Sequence, residues 1–182
     1  MNYSRRQFLC NIATLTLVGA AIPLAQPALA AQVGARSLSF EHMHTGKVLR
    51  VVYAMGNKYV PEGLKTLNMF LRDHYTGQVC RMDPKLFDLL FRLKRSFGGD
   101  RTFQIISAYR SPVTNTKLRA SGHRGVAKHS LHMEGKALDI RLAGVSLGDL
   151  RDAAVESRSG GVGFYPRGQF VHVDTGQFRT WG

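Results

Sequence analysis

Antiparallel strand pairs are written near both ends of this chain's apolar pattern, and that limits its fold more than any other feature. Leu38, Phe40 and Met43 begin an alternating run, His44-Thr45-Gly46-Lys47 reads as a turn, and Val48-Leu49-Arg50-Val51-Val52-Tyr53 returns. Short apolar runs joined by a glycine-containing turn predict a β-hairpin. Near the other end, Val162–Tyr165 and Gln169–Asp174 enclose Pro166-Arg167-Gly168 and predict a closing strand pair. Helical patterns lie between. Pro61 opens a helix of about fifteen residues with Leu64, Leu67, Met69, Phe70 and Leu71 on its face. Asp83-Pro84 places a capping acid before a proline at the first helical position, and the leucines that follow extend to Gly98-Gly99. Phe103–Ala108 reads as a strand, Tyr109–Pro112 as a loop followed by a helix to about Ala120, 121–131 as a loop and Lys136–Leu142 as a strand. Ser146 and Asp149 form a capping-box-like start for a helix to about Ser157. Hairpins at the ends with helices between them predict an α+β fold, a small antiparallel sheet flanked by helices, rather than a doubly wound parallel sheet.

The first thirty residues have a different character. Arg5-Arg6 stands in Ser4-Arg5-Arg6-Gln7-Phe8-Leu9, an apolar stretch runs from Phe8 to about Ala25, and Ala28-Leu29-Ala30 offers a small-x-small cleavage site. That order is a secretory signal, and its paired arginines resemble the twin-arginine signal of exported bacterial proteins. Asn11, Thr14 and Thr16 make the stretch a poor permanent span. The expected division is therefore a signal peptide over 1–30 and one domain over 31–182. The full chain carries a formal net charge of +13. The leader holds two arginines and no acid, so +11 remains after its removal. A charge of this sign calls for a polyanion. Outside the cytoplasm that partner is an acidic wall polymer rather than nucleic acid. Beyond the leader Cys80 is the only cysteine, which excludes an intramolecular disulfide. A domain of this length buries a full core alone, so a monomer is expected.

Three segments carry chemistry: Ser107-Ala108-Tyr109-Arg110-Ser111, Ser130 to Asp139, and Phe170-Val171-His172-Val173-Asp174. A catalytic zinc site needs three protein ligands and an open position. His132 in a loop, Asp139 on the next strand and His172 on a distant strand supply two nitrogens and an oxygen. Spacing alone is a weak signal, because a His and an Asp seven residues apart are common. Asp174 falls on the same strand face as His172 and is read either as a general base or as the acceptor that orients a ligand. Glu134 is a rival base. His129 and Ser130 are expected to line a cleft. His42, His44, His74 and His123 are read as surface or hairpin residues, and Tyr109, Phe164, Tyr165 and Trp181 as core or cleft-wall aromatics. Arg124, Lys128, Arg141 and Arg167 flank the motifs.

The pattern SxHxxGxAxD, filled by Ser130, His132, Gly135, Ala137 and Asp139, resembles the zinc D-alanyl-D-alanine peptidases, which share their fold with the hedgehog signalling domain. The turn Ser107–Ser111, the His44-Thr45-Gly46 turn, the runs Arg124–Lys128 and Gly160–Gly163, and Val171–Gly176 are similar to an exported murein endopeptidase branch of that family, over residues 38–182. The resemblance implies that His132, Asp139 and His172 bind zinc, and that the ion activates water against an amide carbonyl of peptidoglycan cross-links. It implies that Arg110 stabilises the oxyanion or pairs with a substrate carboxylate. Many relatives carry an acid three residues, or a histidine two residues, before the last ligand. Here those positions hold Gln169 and Phe170, so the base is left open. A D,D-carboxypeptidase and a non-catalytic wall-binding module are the competing expectations.

Overall fold

The expected hairpin forms. β1 (Ala35–His42) pairs antiparallel with β2 (Val48–Met55), and β3 (Lys58–Tyr59) extends the outer edge of β2. The computed structural model describes residues 34–121 and 127–182. The expected leader, as well as His123 and Arg124, lies outside the described residues. Pro61 opens α1 (Pro61–Phe70), shorter than its apolar pattern suggests. The Asp73 carboxylate accepts from the backbone N–H groups of Tyr75 and Thr76, at 2.9 and 3.2 Å, and turns the chain away soon after the helix ends. Asp83 caps α2 (Pro84–Ser96) by accepting from the Lys85 N–H. β4 (Thr102–Ser107), α3 (Pro112–Ala120), a 3₁₀ turn over Leu131–Glu134 and β5 (Ala137–Leu142) follow. Ser146 caps α4 (Leu147–Glu156), and its hydroxyl also donates to the Asp149 carboxylate at 2.7 Å. β6 (Gly161–Tyr165) and β7 (Phe170–Asp174) make the closing pair, and a short strand not foreseen in the sequence, β8 (Arg179–Trp181), lies beyond them.

The class is α+β, but the sheet is neither small nor wholly antiparallel. Eight strands run in the order β3-β2-β1-β4-β5-β7-β6-β8, with β1–β4 and β6–β8 parallel. A parallel pair needs a connection long enough to carry the chain back across the sheet. The segment containing β2, α1 and α2 provides it for β1 and β4. Strand alternation then sorts the faces. Leu138, Ile140 and Leu142 of β5, with Val171 and Val173 of β7, are buried in the core against α2 and α4. Asp139, His172 and Asp174, at the intervening positions, point to the other face.

Candidate metal centre

Three elements bring three side chains to one point. Ser130 caps the 3₁₀ turn that carries His132, accepting from the His132 N–H at 3.4 Å. Asp139 on β5 stands directly opposite His172 on β7. His132 Nε2 lies 3.2 Å from Asp139 Oδ1 and 3.2 Å from His172 Nδ1, and His172 Nδ1 lies 2.9 Å from Asp139 Oδ1. The outward nitrogens are committed elsewhere. His132 Nδ1 is 2.7 Å from the Ala108 carbonyl, and His172 Nε2 is 3.2 Å from Asp174 Oδ2. Both of those partners are acceptors, so each neutral imidazole carries its proton on the outer nitrogen. The inner nitrogens therefore present two lone pairs beside a carboxylate oxygen. Three lone pairs so close repel one another unless a proton or a metal ion lies between them. Around a tetrahedral ion with bonds of about 2.0–2.1 Å, ligand atoms stand about 3.3 Å apart. The donor set fits a metal ion.

Asp174 is wholly buried. Its Oδ1 accepts from the Gly161 and Gly176 N–H groups at 2.9 and 2.8 Å. Its Oδ2 accepts from Arg179 Nη2 at 2.7 Å and faces His172. Burial alone would raise its pKa. The hydrogen bonds from His172, Arg179 and the two backbone groups outweigh that and hold the carboxyl well below the usual range. The glycine-rich start of β6 makes the space. A Cβ on Gly161 would come within 2.5 Å of Asp174 Oδ2, and one on Gly163 within 2.6 Å of the Trp181 ring. Trp181 in turn packs 5.2 Å from the His172 ring, centroid to centroid.

Arg110 stands on the other side of Asp139. An irregularity in β4 between Ile105 and Ser107 brings Ser107 opposite Asp139 and feeds the turn that carries Arg110. Its guanidinium is nearly buried, 3.8 Å from Asp139 Oδ2, and donates to Ser107 Oγ at 3.3 Å. Burial lowers its pKa, while the charges of Asp139 and Asp73 oppose that shift. Asp73 fixes the turn by accepting from the Ser111 N–H at 2.8 Å.

All three candidate ligands and Arg110 line one cleft of about 630 Å³. His129 and Ser130 line it as expected, and Asp139 supplies the one carboxylate among its lining residues. Glu134 is exposed and pairs with Lys136 at 2.8 Å, away from the cleft. Arg141 donates to the Gln169 carbonyl. His42 and His44 belong to the hairpin as expected, at the end of β1 and in the turn, but their packing with His74 was not foreseen. His42 is buried beneath the turn, where its Nδ1 accepts from the His44 N–H. His44 and His74 stack 4.4 Å apart and form part of the cleft wall. Arg179 escaped the sequence reading altogether. Its alternation with Trp181 is the only local signal, and three residues are too few to mark a strand.

Residues 30–181 match the family described as Peptidoglycan L,D-endopeptidase MepK. The chain belongs to this family. It is 40% identical over 178 residues to the peptidoglycan L,D-endopeptidase MepK of Escherichia coli K12, covering 98% of this chain and 97% of that protein. It is 37% identical to a probable peptidoglycan L,D-endopeptidase MepK of Haemophilus influenzae, covering 100% of this chain and 98% of the relative. No solved structure matches. Among the described residues, no helix is long and apolar enough to cross a membrane.

Proposed function

We propose that this protein is a zinc-dependent murein endopeptidase on the hedgehog/D-Ala-D-Ala peptidase fold. It hydrolyses the direct cross-link between two diaminopimelate residues of peptidoglycan stems. The convergence of three lone pairs from His132, Asp139 and His172 in an open cleft carries this reading, and family membership supports it. His132, Asp139 and His172 hold the zinc. When bound, the ion lends Lewis acidity to the attacking water and to the scissile carbonyl.

The chain's own residues do the rest. Arg110, desolvated and held by Ser107, offers a fixed positive charge to the carbonyl oxygen as it becomes an oxyanion. Asp174 acts as the acceptor that orients His172, because it is wholly buried and held by Arg179 and two backbone groups. The +11 of the chain after its leader attracts the carboxylates of the stems. We place the enzyme in the periplasm as a monomer, exported by the twin-arginine route on residues 1–30. The family match that begins at residue 30 supports this division.

The test is digestion of purified muropeptide dimers with direct diaminopimelate cross-links, followed by mass spectrometry. Monomers should appear with the zinc-loaded protein and disappear with chelator or His132→Ala. Release of terminal D-alanine alone would make it a carboxypeptidase. Sacculus binding without any product would make it a wall-binding module.

A further inference from the structure

Tyr165 ends β6 on the face that carries the metal centre. Gly163 stands opposite His172 in the β6–β7 register, and Tyr165 opposite Phe170. The Tyr165 ring stacks on Phe170 at 4.6 Å with planes 21° apart, which fixes its position at the cleft wall. Its hydroxyl accepts a hydrogen bond from the Trp181 indole N–H at 2.8 Å. An indole nitrogen can only donate, so that bond occupies an oxygen lone pair and leaves the phenolic proton free. Among the described residues no acceptor takes that proton. The same Trp181 packs on His172, so the hydroxyl is held beside the ligand set. Tyr165 and Arg110 line the same cleft.

Two other donors beside the ligand set are engaged within the protein. Arg179 is spent on Asp174 and the Gln177 carbonyl, and the outer His132 nitrogen on Ala108. Arg110 gives one arm to Ser107 and another, at 3.5 Å, to Asn115. A neutral donor that is immobilised by stacking, oriented by an indole and directed into a cleft has the properties of an oxyanion-stabilising group.

We propose that Tyr165 is a catalytic residue whose hydroxyl donates a hydrogen bond to the scissile carbonyl oxygen as that oxygen gains charge, together with Arg110. Trp181 is its positioning residue. This inference rests on the endopeptidase reading.

Tyr165→Phe keeps the stack on Phe170 and removes only the hydroxyl. With cross-linked muropeptide dimers, kcat should fall roughly ten- to a hundredfold while KM changes less than about threefold. Zinc content and melting temperature should stay at the wild-type values. By calorimetry, a dipeptide phosphinate, whose tetrahedral oxygens copy the oxyanion, should bind the zinc-loaded variant at least about tenfold more weakly than wild type. Trp181→Phe should cost less, and should cost nothing further in the Tyr165→Phe background. Unchanged kcat and phosphinate affinity in Tyr165→Phe, or loss of zinc from it, would overturn the proposal. If the zinc-loaded wild type fails to cut the dimers, the endopeptidase reading falls, and the phosphinate comparison still decides the role of Tyr165.

Discussion

Asp174→Asn should weaken zinc binding roughly ten- to a hundredfold, about 1.4–2.7 kcal/mol. The magnitude follows from the bonds that the side chain makes. An asparagine keeps one oxygen, and that oxygen serves the cluster best at the Oδ1 position, where the Gly161 and Gly176 N–H groups converge. Its amide N–H₂ then occupies the Oδ2 position and points at His172 Nε2 and Arg179 Nη2. A donor now faces a donor on the ring. The ring relieves the clash by moving its proton to Nδ1, which withdraws one of the three lone pairs from the metal position. Competition against a chromophoric chelator measures the affinity, with circular dichroism as the check on folding. The same variant separates the two roles open to this carboxylate. An orienting residue gives weaker zinc binding and activity that recovers when zinc is raised to saturation. A general base gives wild-type zinc affinity and lost turnover at any zinc concentration. The second pattern would refute the reasoning.

Gly163→Ala should destabilise the fold by about 1–3 kcal/mol and lower zinc affinity as well, since the new methyl group displaces Trp181 and with it β8; thermal melts with and without zinc measure both. Stability should fall on acidification through His42. Burial, followed by the neighbouring His74 and His44, pushes its pKa down to about 4. The unfolded chain therefore takes up a proton that the folded chain refuses, so the contribution is full above about pH 6.5 and is lost toward pH 4, at most about 3 kcal/mol. His42→Asn, which can still accept from the His44 N–H, should flatten that part of the denaturation profile. Asp83→Ala should cost about 1–2 kcal/mol in urea unfolding, because it removes the cap of α2 and the acceptor of the Thr175 hydroxyl at 2.7 Å.

What the sequence revealed follows the range of the forces involved. Asp83-Pro84 and Ser146 with Asp149 announced helix starts because capping is local. The candidate metal cluster was legible because the motif that holds His132 and Asp139 resembles that of a known family, and strand alternation predicts the face of His172. The parallel pairing of β1 with β4 was hidden, because nothing within either strand records a partner about sixty residues away. Arg179 was hidden for a related reason. Its role exists only once β8 lies beside β6 and brings the guanidinium to Asp174. His42, His44 and His74 fit no ligand spacing, and only the docking of the α1–α2 connection against the hairpin turn brings His44 and His74 together as a cleft wall over the buried His42.

The opposed pair of Asp139 and His172 would give a bound ion a second use, as a ruler for the sheet. The two side chains sit on neighbouring antiparallel strands at a single register position. A slip of one residue would turn one of them into the core and bring Leu138 or Ile140 out in place of Asp139. A metal ion held by both would therefore reward one alignment of β5 and β7 and penalise its nearest competitors. Chains that retained such an ion would, by that fact, be sorted for correct registration.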